Sequence, residues 1–260
     1  MRNIGAETVT VPLPHGDGDG DGDGDVDVDG NGNGDEMDAH FLAPVKSPSR
    51  IPAVIVVHDI LGLNDDTRRI CQRLANGPKP LAVIAPDLYQ GLGPKPVCVV
   101  KTLRSLKRGS GTPFERLAAV QTWLGSVPFV DPARIAVVGF CMGGGFAVLH
   151  AARAKVSVVA PFYGDVPRDL EDLNGICPVV GGYGEKDSVF VSQGHRLVNH
   201  LDTLQVEHDL KFYPGVGHSY MNQLSGVAKL GRWTPLRAAY DEAAAEDSWR
   251  RVFEFFDQHL

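Results

Sequence analysis

The sequence is poor in the features that would assign it quickly. Its four cysteines, Cys71, Cys98, Cys141 and Cys177, have no CxxC or paired spacing. Neither a disulfide framework nor a cysteine zinc site is indicated, and no metal is expected. No apolar run approaches the length that crosses a membrane, and Met1 to Pro14 lacks the apolar core of a secretory leader. Gly-x-x-x-x-Gly-Lys-Ser/Thr and Gly-x-Gly-x-x-Gly are both missing, which argues against phosphate and dinucleotide loops. A large excess of positive charge is also lacking. The net charge is −7, but residues 17–36 alone hold nine acidic groups and no Lys or Arg, so the remainder carries +2. A nearly neutral remainder leaves no electrostatic footprint for nucleic acid. The expectation is a cytoplasmic protein, where a reducing environment suits free thiols, with neither nucleic acid nor membrane as partner.

What is present divides into three stretches. Residues 1–15 contain a candidate strand, Thr8-Val9-Thr10-Val11. Residues 16–36 are acidic and glycine-rich, an almost perfect Gly-Asp alternation from Gly16 to Asp25 that continues loosely to Asp35. Such a segment buries no apolar surface and repels itself, so it reads as a disordered insertion in a hairpin loop. Its spacing fits neither the EF-hand loop nor the calcium-binding nonapeptide repeat. Residues 37–260 read as one α/β domain, in which continuous apolar runs alternate with helical segments. Ile51 to His58, Leu81 to Ala85, Val156 to Pro161 and Cys177 to Gly181 have the composition of strands buried on both faces. Asn64 suits the N-cap of a helix to about Ala75, a helix is expected from Val191 to Leu204, and Arg237 to Leu260 reads as a long closing helix. The order predicts a three-layer α/β fold with a mainly parallel central sheet and helices on both faces. The basic stretch over residues 90–111 reads first as a solvated face, with a segment over a site as the alternative.

The chemistry centres on Ile135-Ala136-Val137-Val138-Gly139-Phe140-Cys141-Met142-Gly143-Gly144-Gly145. An apolar strand ends at a glycine, one nucleophilic residue sits at the turn, and glycines open a helix. This is the pattern of a nucleophile elbow, Gly-x-Nuc-x-Gly, with Cys141 as nucleophile. A helix N-terminus behind the turn favours thiolate and aims the N–H of Met142 at a developing oxyanion. In hydrolases of this architecture the acid and then the histidine follow the nucleophile along the chain, each after a strand. Asp187, in Gly184-Glu185-Lys186-Asp187, and His218, in Gly217-His218-Ser219, meet that rule. His218 would act as the base and Asp187 would hold its tautomer. Of the other histidines, His150 reads as packing, while His40, His195, His200, His208 and His259 have no motif around them and read as surface residues.

These blocks together resemble the dienelactone hydrolase family. The match runs through His58-Asp59-Ile60-Leu61-Gly62-Leu63, Ala85-Pro86-Asp87-Leu88-Tyr89, the elbow with cysteine in place of the commoner serine, Asp187, and Gly217-His218-Ser219. The resemblance implies an α/β-hydrolase-type fold, a monomer or weak homodimer, and opening of small-molecule esters or lactones through a Cys-His-Asp triad and a thioester, without a cofactor. It also implies an oxyanion hole from the backbone N–H groups of Ile60 and Met142. In the family a glutamate that modulates the thiol stands where this chain has Asp59. Two arginines that grip a substrate carboxylate are replaced, one within Gln90-Gly91-Leu92 and one by Asn222. Bidentate arginine is the natural partner of a carboxylate, so these departures argue against dienelactone itself as the substrate. They also motivate a second reading, a non-catalytic or substrate-gated binding protein on a hydrolase scaffold. A redox-responsive thiol is a third, weakened by the lack of a nearby resolving cysteine.

Overall fold

The computed structural model describes residues 3–14, 36–46 and 49–260. The expected disorder of the Gly-Asp tract falls outside the described residues. Eight strands form one sheet: β1 (Ile4–Pro12), β2 (Glu36–Pro44), β3 (Ile51–Val57), β4 (Ala82–Pro86), β5 (Val130–Phe140), β6 (Val158–Phe162), β7 (Val179–Gly184) and β8 (His208–Tyr213). Their spatial order is β1-β2-β4-β3-β5-β6-β7-β8. The β1–β2 and β2–β4 pairs are antiparallel and the other pairs parallel.

The helices are α1 (Asp65–Ala75), α2 (Lys95–Arg108), α3 (Thr112–Ser126), α4 (Met142–Arg153), α5 (Val191–Leu204) and α6 (Glu242–His259). Side chains of a strand point alternately to the two faces, and β3 shows the consequence. Ala53, Ile55 and Val57 enter one apolar cluster with α3, α4 and α5, whereas Val54 and Val56 enter the other with α1 and α6. Every residue of β3 is buried, as its continuous apolar run predicts.

Helix starts follow local chemistry. Asn64 Oδ1 accepts from the Thr67 N–H at 3.0 Å, with Asp65 and Asp66 in the first turn of α1. The closing helix is shorter than expected. Arg237 sits at φ 50°, off the helical path, and the chain stays irregular until Asp241 Oδ1 accepts from the Ala244 N–H and starts α6. His40 is also not a surface residue: β2 lies inside the sheet edge, the ring is buried, and Arg68 of α1 reaches its Nδ1 at 3.0 Å.

The chain leaves β3 for β4 on one side and returns to place β5 on the other. A connection that reverses direction in this way opens a crevice at the carboxyl ends of the strands. The loops after β3, β5, β6, β7 and β8 all end there.

Candidate active site

The turn after β5 carries the strain that the elbow motif demands. Cys141 sits at φ 55°, ψ −118°, a region that non-glycine residues rarely occupy. Its N–H is held by the Phe162 carbonyl at 3.0 Å. Glycine is required on both sides of it. A Cβ at Gly139 would run into the Gly143 carbonyl, and one at Gly143 into the carbonyls of Val57 and His58. Met142 is the first residue of α4, so its N–H belongs to the group that a helix leaves without an internal partner.

The loops after β7 and β8 bring Asp187 and His218 together. His218 Nδ1 donates to Asp187 Oδ2 at 2.5 Å, while Asp187 Oδ1 accepts from the N–H groups of Val189 and Phe190 at 3.1 Å each. The His218 ring is packed by Tyr163 and Phe190, with centroids 4.9 Å away in both cases. Its backbone is clamped too: the N–H donates to Leu236 O at 2.8 Å and the carbonyl accepts from Ala239 N at 3.1 Å. The remaining ring nitrogen, Nε2, is buried and has no conventional hydrogen bond among the described residues. Burial opposes the charged ring, yet Cys141 and Asp187 outweigh burial and lift the imidazole to about 10. Cys141 and His218 thus interact without strict hydrogen-bond geometry, as such pairs often do before substrate tightens them.

The loop after β3 is built by its own side chains. Asp59 Oδ1 accepts from the Leu61 N–H at 2.7 Å, closing a turn of the kind aspartate makes two residues on. This carboxylate is therefore engaged with its own loop, and among the described residues it makes no hydrogen bond to Cys141. Burial, opposed by the Leu61 N–H, lifts its carboxyl to about 6. The carbonyl of Asp59 accepts from His58 Nδ1 at 2.7 Å and from Gly62 N at 3.1 Å. The Tyr89 hydroxyl donates to Ile60 O at 3.1 Å. Both peptides flanking Ile60 are consequently pinned, which sets the direction of its N–H.

Sequence reasoning missed a buried network behind the histidine. The Tyr163 hydroxyl donates to Asn222 Oδ1 at 2.6 Å, and Asn222 Nδ2 donates to Asp66 Oδ2 at 2.8 Å. Arg69 bonds Asp66 and also reaches the Met221 carbonyl at 2.9 Å. The network ties α1 to the loop that carries His218. The only hint in the sequence was an aromatic residue, Tyr163, directly after an apolar strand. His150 is packed as expected, with Nε2 2.9 Å from Gln121 Oε1 and its imidazole held down at about 4 by burial.

Cys141, Met142, Asp59, Ile60 and His218 line one cleft of about 590 Å³, while Asp187 sits behind the histidine. Helix α2 contributes Leu103, Leu106 and Lys107 to its wall. The basic stretch is thus partly a solvated face and partly a wall of the site. Among the described residues no group of three or more His, Cys, Asp or Glu side chains is arranged to hold a metal ion. No helix among them is long and apolar enough to cross a membrane.

The family model of the dienelactone hydrolases matches residues 37–260. The chain belongs to the dienelactone hydrolase family. Membership makes it a hydrolase. A Salmonella typhimurium protein provisionally named carboxymethylenebutenolidase is 31% identical over 243 residues, covering 86% of this chain and 84% of that protein. An Escherichia coli K12 protein with the same provisional name is 29% identical over 243 residues, 86% of this chain and 83% of that protein. Among solved structures, a dienelactone hydrolase-like promiscuous phosphotriesterase from metagenomic libraries superposes with a TM-score of 0.76 at 21% identity, covering 98% of each chain. A Klebsiella pneumoniae protein provisionally described as a dienelactone hydrolase gives 0.72 at 22% identity, covering 98% of this chain and 99% of that one. At those identities the structural likeness establishes the α/β-hydrolase fold.

Proposed function

We propose that this hydrolase cleaves carboxylic esters or lactones by acyl transfer through Cys141, with His218 as proton carrier and Asp187 as its orienting acid. The observation that carries the reading is the arrangement around His218. One ring nitrogen donates to a buried carboxylate at 2.5 Å, and the other is left for the sulfur that stands on a strained elbow.

In the first half-reaction the Cys141 thiolate adds to the carbonyl carbon, and the oxyanion is received by the N–H groups of Ile60 and Met142. Collapse expels the alkoxide, which takes the proton from the His218 imidazolium and leaves a thioester. In the second, neutral His218 removes a proton from water as it attacks the thioester, and the thiolate departs from the carboxylic acid. The protein then returns to the thiolate–imidazolium pair. Asp187 stays ionised throughout and fixes the tautomer. Nothing in this cycle requires a cofactor.

Stopped-flow hydrolysis of an activated aryl ester tests the reading. The parent should release a stoichiometric burst of phenol followed by a slower steady state, and Cys141→Ala should show no burst. Equal phenol release by both proteins would sink the assignment.

A further inference from the structure

Three cations near the cleft, Lys95, Arg69 and Arg116, are committed to the protein's own groups. Lys95 Nζ donates to Leu61 O at 2.7 Å. Arg69 bonds the Met221 carbonyl and Asp66. Arg116 donates to the carbonyls of Leu88 and Gln90 at 3.0 and 2.7 Å. Asn222 has its carbonyl oxygen and its amide engaged by Tyr163 and Asp66, and Gly91 offers no side chain. Besides the Cys141–His218 pair, the charged groups that line the cleft are Asp59, Asp165 and Lys107. The rest of the wall is largely apolar: Leu103 and Leu106 of α2, Val189 and Phe190 after β7, and Leu224 and Leu236 after His218.

Resting on the ester-hydrolase reading, we infer that the group held beside the scissile bond is neutral and apolar, an alkyl or aryl chain and not a carboxylate-bearing one. A carboxylate in this cleft would lose water, would find Lys107 as the one lysine or arginine of its lining and would face Asp59 and Asp165. An alkyl chain would be covered by Leu103, Leu106, Phe190 and Leu224. Each methylene that leaves water is worth about 0.8 kcal/mol, or roughly a fourfold gain in affinity.

Para-nitrophenyl hexanoate and the para-nitrophenyl monoester of adipic acid form a matched pair, equal in chain length and differing in the terminal methyl or carboxylate. The parent should favour hexanoate by more than about tenfold in kcat/KM. From acetate to hexanoate, kcat/KM should climb by roughly two- to fourfold per methylene. Leu103→Arg, on the rim of the cleft where a guanidinium stays solvated, should narrow the hexanoate–adipate gap by roughly two- to fivefold. Both ratios are independent of the fraction of protein that folds. Equal or better turnover of the adipate ester would overturn the inference. It would direct attention to the neighbouring cavity of about 520 Å³, which shares Leu106 and Lys107 with the cleft and is lined by Arg153, Arg168 and Arg196. Calorimetric titration with methyl ketones bearing the same two chains reads the cleft without turnover. Tighter binding of the neutral ketone alongside no ester cleavage would uphold the apolar cleft and sink the hydrolytic reading, whereas equal binding of both ketones would sink the inference itself.

Discussion

His58 and His218 lie in two loops at the carboxyl ends of the strands, after β3 and β8, and each is no more than 2% exposed. Their protonation is pushed in opposite directions. His58 lies between backbone groups: Nδ1 donates to Asp59 O and Nε2 accepts from Leu88 N at 3.2 Å, a pattern that requires the neutral ring. Burial pushes its imidazole below the usual value, although the Asp59 carbonyl pulls the other way. His218 has the same burial but faces Cys141 and Asp187, and it is raised to about 10. Burial alone therefore makes a structural histidine. A half-buried cysteine sulfur and a buried carboxylate on either side make one that holds a proton ready to transfer.

Replacing each ring breaks the comparison most sharply. His218→Ala should cost about 10⁴-fold in kcat/KM for an aryl ester, because the proposed mechanism has no other group to carry the proton. His58→Ala should act chiefly on stability. It strands the Leu88 N–H and removes one partner of the Asp59 carbonyl, costing about 2–4 kcal/mol in urea unfolding. If His58→Ala unfolded at the parent's midpoint while losing activity to the same degree as His218→Ala, the division of labour would be wrong.

A smaller effect sharpens the same contrast at Asp59. Its carboxyl is raised to about 6 in the folded protein, from an ordinary value near 3.8. A raised carboxyl means that the folded state binds the proton more tightly than the unfolded chain. Ionisation therefore costs stability as pH rises through this window. Asp59→Asn keeps an oxygen for the Leu61 N–H and removes the charge. It should match the parent below about pH 4 and become more stable by roughly 1–3 kcal/mol above pH 6. Urea unfolding across that range is the measurement, and a constant gap at all pH values would contradict the assignment.

Much of this arrangement was legible in one dimension because its causes are local. The strands announce themselves as apolar runs buried on both faces, α1 by its Asn64 cap, and the elbow by glycines whose absent Cβ atoms make room for crossing backbone. Asp187 and His218 stand out because chain order and strand ends are sequence properties, and the fold brings the two into hydrogen-bond contact. What was not legible is non-local or depends on one torsion angle. The link from Asp66 to Asn222 joins residues 156 positions apart. The start of α6 is delayed by the left-handed turn at Arg237, where nothing in the residue type demands it. Asp59 satisfies its own loop, a choice set by the length of its side chain and the turn it occupies. Burial of His40 follows from the place of β2 within the sheet, which the order of segments alone does not reveal.

The most direct test of the account is to trap the acyl-enzyme. The protein would be mixed with para-nitrophenyl hexanoate, quenched in acid within the burst phase, and digested for mass spectrometry. One hexanoyl group on the peptide containing Cys141, disappearing as the steady state is chased, is the predicted result. Acylation at Cys71, Cys98 or Cys177 at equal levels, or turnover with Cys141 never acylated, would contradict the claim that the elbow cysteine is the nucleophile.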